Sequence, residues 1–100
     1  MIEYEVSLDV DAGIDGDYRN WLRSHVAEIL ALPGFVDASI HVVEMDATDR
    51  SGYCVRYRLR DRDALDAYFR DHAPRLREDG LRRFGDAFRA SRRILTPLDN

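Results

Sequence analysis

Apolar and polar residues alternate along several stretches of the chain, and the clearest of them is GYCVRYRLR at residues 52–60. In this stretch tyrosine, valine and leucine alternate with a cysteine and three arginines. Because successive side chains of a strand leave opposite faces of a sheet, the pattern predicts a strand with one apolar and one charged face. Residues 2–10 show the same period with three acids and a serine in the polar positions. Residues 35–44 also follow it, with Val36, Ala38, Ile40 and Val42 on the predicted inner face.

Two other stretches space their apolar residues three or four positions apart, which is typical of helices with one buried side. The first extends over residues 18–30, with Asp15 as the expected cap at its start. The second begins after Asp61 or Asp63 and extends past residue 76. Pro74 lies inside this second stretch and predicts a kink or a restart at residues 72–74, because proline is tolerated only in the first turn of a helix.

After the second helical stretch, Gly85 is the expected stop signal and residues 88–95 are predicted to form a last strand. Arginines disturb its alternation, so we expect an edge strand with a bulge. The order strand, helix, strand, strand, helix, strand predicts a ferredoxin-like α+β fold, a four-stranded antiparallel sheet with two helices on one face. In this fold the first strand lies between the third and the last. Residues 1–100 are predicted to form a single domain that ends in a tail at residues 97–100.

Composition and charge narrow the classes of function. Of the residues, 45% are hydrophobic and 34% are charged, as in folded proteins. The net charge of -4 argues against a nucleic-acid partner, because affinity for phosphate comes mainly from excess positive charge. No apolar run reaches membrane-spanning length and the acidic start has no basic signal segment, so we expect a cytoplasmic protein without a membrane partner.

The charged positions of the first and third strands carry opposite signs in matching phase. Opposed charges on neighbouring strands stabilise a sheet and fix its register. The face that they form is either solvated or covered by a partner, and we expect it to be covered in a homodimer. The predicted interface contains Glu3, Glu5, Asp9, Arg56, Arg58 and Arg60.

Two histidines are candidate catalytic residues. His25 and His72 belong to the apolar sides of the two helical stretches and face the same side of the sheet, so the two side chains could share a cavity. One interpretation is a packing role in the core or at an interface, and the other is a general base for a small substrate. Trp21, Tyr4, Tyr57 and Tyr68 are the candidate ligand-binding residues around them. No third ligand accompanies the histidines, so no metal is expected.

Two further patterns have simpler explanations. Arg89, Arg92 and Arg93 could bind an anion, but a basic edge strand also guards against aggregation. Tyr53 and Tyr57 have the spacing of stacking residues in an RNA-recognition sheet, yet they are predicted to face the helices, so this reading fails.

The segments WLRSHVAEILALPGF (residues 21–35) and YFRDHAPRLREDGLRRFGDAF (residues 68–88) resemble the bacterial domain of unknown function family 4286. More loosely, a helical histidine before a Pro-Gly turn is similar to dimeric α+β barrel proteins, a group that includes cofactor-free monooxygenases and isomerases. The resemblance implies a ferredoxin-like protomer that pairs sheet to sheet with a second copy. In this sequence Gly80 stands where a helix former is expected, which implies a looser second half of that helix.

Two functions are therefore expected, neither with a cofactor. The leading interpretation is a homodimeric module that binds a ligand or a protein without catalysis. The alternative is a cofactor-independent enzyme, monooxygenase- or isomerase-like, with a histidine as base in the cavity between helices and sheet. An open polar-lined cavity that reaches a histidine would favour the enzyme, and a filled interior would favour the module.

Overall fold

The computed structural model describes residues 1–99 and shows the predicted ferredoxin-like α+β fold. Asn100, at the end of the predicted tail, lies outside the described residues. The elements in chain order are β1 (Ile2–Asp11), α1 (Asp15–Leu30), β2 (Phe35–Val43), β3 (Arg50–Leu59), α2 (Arg62–Asp71), α3 (Ala73–Phe84) and β4 (Phe88–Leu95). The strands form one antiparallel sheet in the order β2-β3-β1-β4, so β1 lies between the third and the last strand as predicted.

The inner face of β1 and β3 forms the centre of the core. Tyr4 lies opposite Tyr57 and Val6 lies opposite Val55 across the two strands. Because Tyr4, Val55 and Tyr57 are buried, the alternation read from the sequence gives the correct inner face for both strands. The other face of the sheet, here named the open face, has no helix against it among residues 1–99.

The sheet has a bulge in β2, whereas the sequence pattern predicted one in β4. Phe35 and Asp37 lie opposite consecutive residues of β3, so Val36 is an extra residue without a partner. We expected Val36 on the inner face with Ala38, and this is wrong. Phe35 takes the inner position instead, and its ring packs edge-on against Tyr57 at a centroid distance of 5.6 Å.

β4 is an edge strand as predicted, but it pairs with β1 over its whole length without a bulge. The expected bulge in this strand is therefore wrong. Phe88, Ala90, Arg92 and Ile94 lie opposite inner-face residues of β1, so the alternation continues through the arginine. Arg93, the next residue along the chain, points to the open face. One guanidinium is thus directed towards the helices and the next one away from them.

The start of α1 differs from the expectation. Asp15 is the first helical residue and does not cap the helix. A short 3-10 turn precedes α1, and Asp11 caps this turn by accepting a hydrogen bond from the Gly13 N–H at 2.8 Å. Because the turn leads directly into the helix, the carboxylate of Asp15 is available to accept a hydrogen bond from the Tyr53 hydroxyl and to pair with Arg19.

The second helical stretch is two helices, so the predicted restart at Pro74 is confirmed. Asp61 caps α2 by accepting a hydrogen bond from the Ala64 N–H at 2.9 Å. His72 separates the helices with non-helical backbone angles, and Pro74 lies in the first turn of α3. Gly85 ends α3 with a φ of 58°, a conformation that favours glycine, so the predicted stop signal is also confirmed.

Glu5 is the centre of the charged open face. Its side chain is buried, and its carboxylate accepts hydrogen bonds from Arg93 Nε at 2.8 Å and from Arg56 Nε at 2.9 Å. These two guanidinium groups, Arg93 first, hold the pKa of Glu5 below its ordinary value against the opposing effect of burial. One carboxylate therefore joins the three strands β3, β1 and β4.

Apart from the pair of Glu5 with Arg56, the ion pairs expected between β1 and β3 are not formed. Arg58 stands between Glu3 and Asp37 on its two neighbouring strands, and it pairs with Asp37. Two of the other predicted interface residues, Asp9 and Arg60, also find partners outside the expected set, whereas Glu3 forms no ion pair within residues 1–99. The pairs are Arg58 with Asp37, Arg60 with Asp61, and Arg50 with Asp9.

None of the helices within residues 1–99 combines the length and the apolar character that a crossing of the membrane requires.

Candidate active site

A cavity of about 280 Å³ lies between the helices and the inner face of the sheet. Aromatic and aliphatic side chains make most of its lining. Three of the lining residues, Arg77, Leu81 and Arg92, are exposed, so the mouth of the cavity lies between α3 and β4. The polar groups of the lining are His25, Arg77, Arg92 and the hydroxyls of Tyr4, Tyr18, Tyr57 and Tyr68.

His25 is the histidine that lines the cavity. Its ring stacks on Trp21, one helical turn earlier, with centroids 4.4 Å apart and an interplanar angle of 21°. Burial lowers the pKa of His25 from its ordinary value of 6.5, Arg92 lowers it further, and Glu28 and Asp79 oppose this. The ring is therefore neutral at pH 7 and able to accept a proton.

The two ring nitrogens of His25 differ in their surroundings. Nδ1 is buried and has no hydrogen-bond partner within residues 1–99. We infer that Nε2, which is not among the buried unpartnered atoms of residues 1–99, is the nitrogen that a ligand contacts. A base at this position acts through Nε2, and no carboxylate of the described chain orients the ring through Nδ1.

The two candidate histidines do not share the cavity. His72 lies at the junction of α2 and α3, where its backbone N–H donates to the Tyr68 carbonyl at 3.0 Å. Its side chain is not part of the cavity lining. His72 has non-helical backbone angles at the restart before Pro74, so it does not continue the apolar stripe of α2.

The four predicted ligand-binding residues, Trp21, Tyr4, Tyr57 and Tyr68, all line the cavity. Burial raises the pKa of Tyr68 to about 12, and it raises the pKa of Tyr57 further. Both phenols are therefore neutral at physiological pH and can donate a hydrogen bond to a ligand. Neither of them can act as a base there.

Arg92 and Arg77 are lining residues that the sequence pattern did not single out as part of this site. Arg92 reaches the cavity from β4 and has no carboxylate within ion-pair distance among residues 1–99. Arg77 donates a hydrogen bond to the Tyr4 hydroxyl at 3.2 Å, and its guanidinium lies 5.7 Å from the centre of the Phe69 ring. The sequence signal for Arg92 was its position in the alternating pattern, because it falls on the same face of β4 as Phe88, Ala90 and Ile94.

Gly80 shapes the cavity wall. A Cβ at this position would lie 2.9 Å from Trp21 Cη2 and 3.3 Å from Trp21 Cζ2. The glycine therefore lets the indole approach the backbone of α3, and the indole in turn supports the His25 ring. Gly80 is buried within a regular helix, so the looser second half implied by the resemblance is not seen.

The cavity is electrostatically positive. Among residues 1–99 its lining contains two arginines and no aspartate or glutamate, although the chain as a whole has a net charge of -4. Within residues 1–99 there is also no cluster of three or more His, Cys, Asp or Glu side chains that could hold a metal ion. What the arrangement offers is a neutral base, phenolic donors and fixed positive charge around an aromatic interior.

Solved structures with the same fold support this picture of a small α+β protein. A variant of SnoaB, a cofactor-independent oxygenase from Streptomyces nogalater, has a TM-score of 0.72 at 17% identity, covering 99% of this chain and 95% of that one. HapK from Hahella chejuensis has a TM-score of 0.73 at 16% identity, covering 100% and 95%. An antibiotic biosynthesis monooxygenase has a TM-score of 0.69 at 14% identity, covering 99% and 100%. At these identities the likeness establishes the fold.

Among curated proteins no sequence matches the chain. A family model does match it, over residues 1–98. The segments around Trp21 and Tyr68 that carried the resemblance lie within the match, and the helices they form build the walls of the cavity. The chain belongs to the family described as Domain of unknown function (DUF4286).

Proposed function

We propose that the protein is a cofactor-independent enzyme that binds a small aromatic molecule in the cavity and removes a proton from it with His25. The observation that carries the proposal is an open cavity of about 280 Å³ that reaches a half-buried histidine with a lowered pKa. Ligand pockets start at roughly 300 Å³, so the cavity suits a molecule of one or two rings. The neutral imidazole is the general base.

His25 is a weak base, and this limits the substrate. Burial opposes the charged form of the ring, and no partner at Nδ1 within the described chain stabilises it. Proton removal therefore needs an acidic substrate, such as a ketone or a phenol whose anion is delocalised over a ring. The neutral phenols of Tyr57 and Tyr68, which line the interior, donate hydrogen bonds to the anion as it forms.

Oxygen insertion is the reaction that we favour for the deprotonated molecule. Two of the structural neighbours are described as a cofactor-independent oxygenase and an antibiotic biosynthesis monooxygenase. A carbanion can reduce dioxygen itself: a CH2 group becomes a carbonyl, one oxygen atom enters the product and the other leaves in water. All four electrons come from the substrate. Return of the proton to another carbon gives an isomerase instead.

A binding module without catalysis is the second candidate function. It is favoured by the His25 ring, which stacks on Trp21 and has no orienting carboxylate within residues 1–99. A histidine in this setting can also serve as one wall of a ligand pocket. In both functions we infer that the protein acts as a homodimer through its open face.

Proton exchange tests the enzyme directly. 2-Indanone is a neutral two-ring ketone of suitable size, and its exchange of hydrogen for deuterium in D2O is measured by NMR. We expect the protein to accelerate the exchange, and His25→Gln to lower the acceleration roughly 100-fold or more. Matched controls are His72→Gln, outside the cavity, and His41→Gln, exposed on the open face.

The outcomes separate the two functions. Equal rates for wild type and His25→Gln would contradict the enzyme. Saturable binding of 2-indanone with no exchange above the buffer rate would support the module. Consumption of dioxygen together with the exchange would assign the oxygenase, and exchange without consumption would assign the isomerase.

A further inference from the structure

Arg92 is an uncompensated charge in the wall of the cavity. Ten of the arginines form ion pairs with acidic side chains, but Arg92 forms none with residues 1–99. Its neighbour Arg93 points to the open face and bonds to Glu5 at 2.8 Å. Arg92 lines the cavity, and its charge lowers the pKa values of three other lining residues, His25, Tyr57 and Tyr68.

Arg77 adds a second guanidinium at the same mouth. The Tyr4 hydroxyl accepts one of its N–H groups at 3.2 Å, and the Phe69 ring lies beneath it. These contacts hold the side chain without neutralising it, and they leave most of its five N–H donors free. A guanidinium that is held in place loses little entropy when it binds a carboxylate.

We propose that the natural ligand is an aromatic carboxylate, whose charged end binds Arg77 and Arg92 at the mouth while its ring enters the aromatic interior. This inference rests on the proposed function and names the class of its substrate. The planar fork of arginine matches the two oxygens of a carboxylate. The interior beyond the mouth is lined by Trp21, Tyr57, Tyr68 and aliphatic side chains, which match a ring.

A phosphate group fits the site less well than a carboxylate. Phosphate sites commonly use the N–H groups at a helix N-terminus or in a glycine-rich loop. Neither feature contributes to the cavity lining within residues 1–99, where the only glycine is Gly80 in the middle of α3. The two side-chain forks are the donors available at the mouth.

Calorimetry with a pair of matched probes tests the inference on the full chain. 2-Naphthoate and 2-naphthamide have nearly the same shape, but only the first is charged. We expect the wild type to bind 2-naphthoate about tenfold to hundredfold more tightly, the gain typical of hydrogen bonds to charged groups. Equal affinities for the two probes would overturn the inference.

Variants of the two arginines test whether the preference for 2-naphthoate arises at the mouth of the cavity. Arg92→Gln and Arg77→Gln should each lower the ratio of the two affinities at least threefold, with melting temperatures near that of the wild type. The matched control is Arg89→Gln, on the same strand but directed to the open face, which should keep the wild-type ratio. A preference that survives both cavity variants would overturn the assignment.

The binding and exchange experiments distinguish failure of this inference from failure of the proposed function. Equal affinities for the probes, together with His25-dependent exchange of 2-indanone, would leave the enzyme standing with a neutral substrate. A clear preference for 2-naphthoate without any exchange would support the carboxylate site and contradict catalysis.

Discussion

The indole of Trp21 lies against the backbone of α3 at Gly80, with no room for a methyl group between them. At an open helical position, replacement of glycine by alanine stabilises a helix by roughly 1 kcal/mol. At Gly80 we expect the opposite sign, because a Cβ would lie 2.9 Å from Trp21 Cη2. Gly80→Ala should lower the free energy of unfolding by about 1 to 3 kcal/mol, measured by urea denaturation.

Gly16 provides the matched control for this prediction. It lies in the first turn of α1, and nothing would be within 4 Å of a Cβ at that position. Gly16→Ala should leave the protein as stable as the wild type or more stable, by up to about 1 kcal/mol. If Gly80→Ala also proved stabilising, the indole would not be confined by the helix backbone.

The pH dependence of catalysis should follow His25. Its pKa lies below 6.5, so the exchange rate should rise with pH below that value and stay flat above it. Arg92 contributes to the lowering, so Arg92→Gln should move the rising limb to higher pH. Removal of the negative charge in Glu28→Gln should move it to lower pH.

The His25 ring resonances, followed by NMR titration, provide a check that does not depend on turnover. The same directions of change are expected for its pKa in the two variants. A wild-type value above 6.5 would contradict the buried, neutral base.

Acid should weaken the fold through Glu5. The folded state lowers the pKa of Glu5 below 4.5, so the stabilisation is fully present above that pH and is lost as the pH falls through the folded value. We expect Glu5→Gln to be less stable than the wild type at neutral pH and to lose less stability on acidification. Chemical denaturation at a series of pH values measures both effects.

Glu3→Gln is the control for the acid prediction, because Glu3 lies on the same face of β1 but forms no ion pair within residues 1–99. It should follow the wild-type pH dependence. If Glu5→Gln lost stability in acid as steeply as the wild type, the pairs with Arg56 and Arg93 would not be the cause.

The homodimer should depend on the centre of the open face. Light scattering should give twice the chain mass of 11.6 kDa. Arg56→Glu places a second carboxylate beside the buried Glu5, so it should abolish the dimer. Arg62→Glu is the control, since Arg62 lies on α2, away from the open face, and among residues 1–99 it pairs only with Asp66, one helical turn later. A wild-type monomer at all concentrations would rule out the sheet-to-sheet assembly.

The central strands were predictable from alternation, and the edge strands were less so. β1 and β3 have a neighbour on each side and helices over one face, so every inner position must be apolar. β2 and β4 lie at the edges, where inner positions can meet solvent. Val36 is displaced by a bulge there, and Arg92 takes an inner position, so both strands depart from the simple pattern.

The cavity was only partly predictable, because it lies between residues of several elements and no single sequence pattern marks it. His25 and the four aromatic candidates were found from their phase along helix or strand. Two further wall residues, Gly80 and Arg92, each looked like a fault in its element, a glycine within a helix and an arginine among apolar positions. Both residues line the cavity, where side chains need not pack closely against one another.

Arg92 and Arg93 are adjacent in the chain but serve opposite sides of the sheet. A single-residue deletion in the connection at residues 85–87 would shift β4 by one position against β1. Such a shift would turn Arg92 to the open face, opposite Ser7, and Arg93 towards the cavity, and it would also turn Phe88 and Ile94 out of the core. Natural insertions and deletions in this connection should therefore involve an even number of residues. Only such a change in length keeps Arg92 on the cavity side of β4 and Arg93 on the open face.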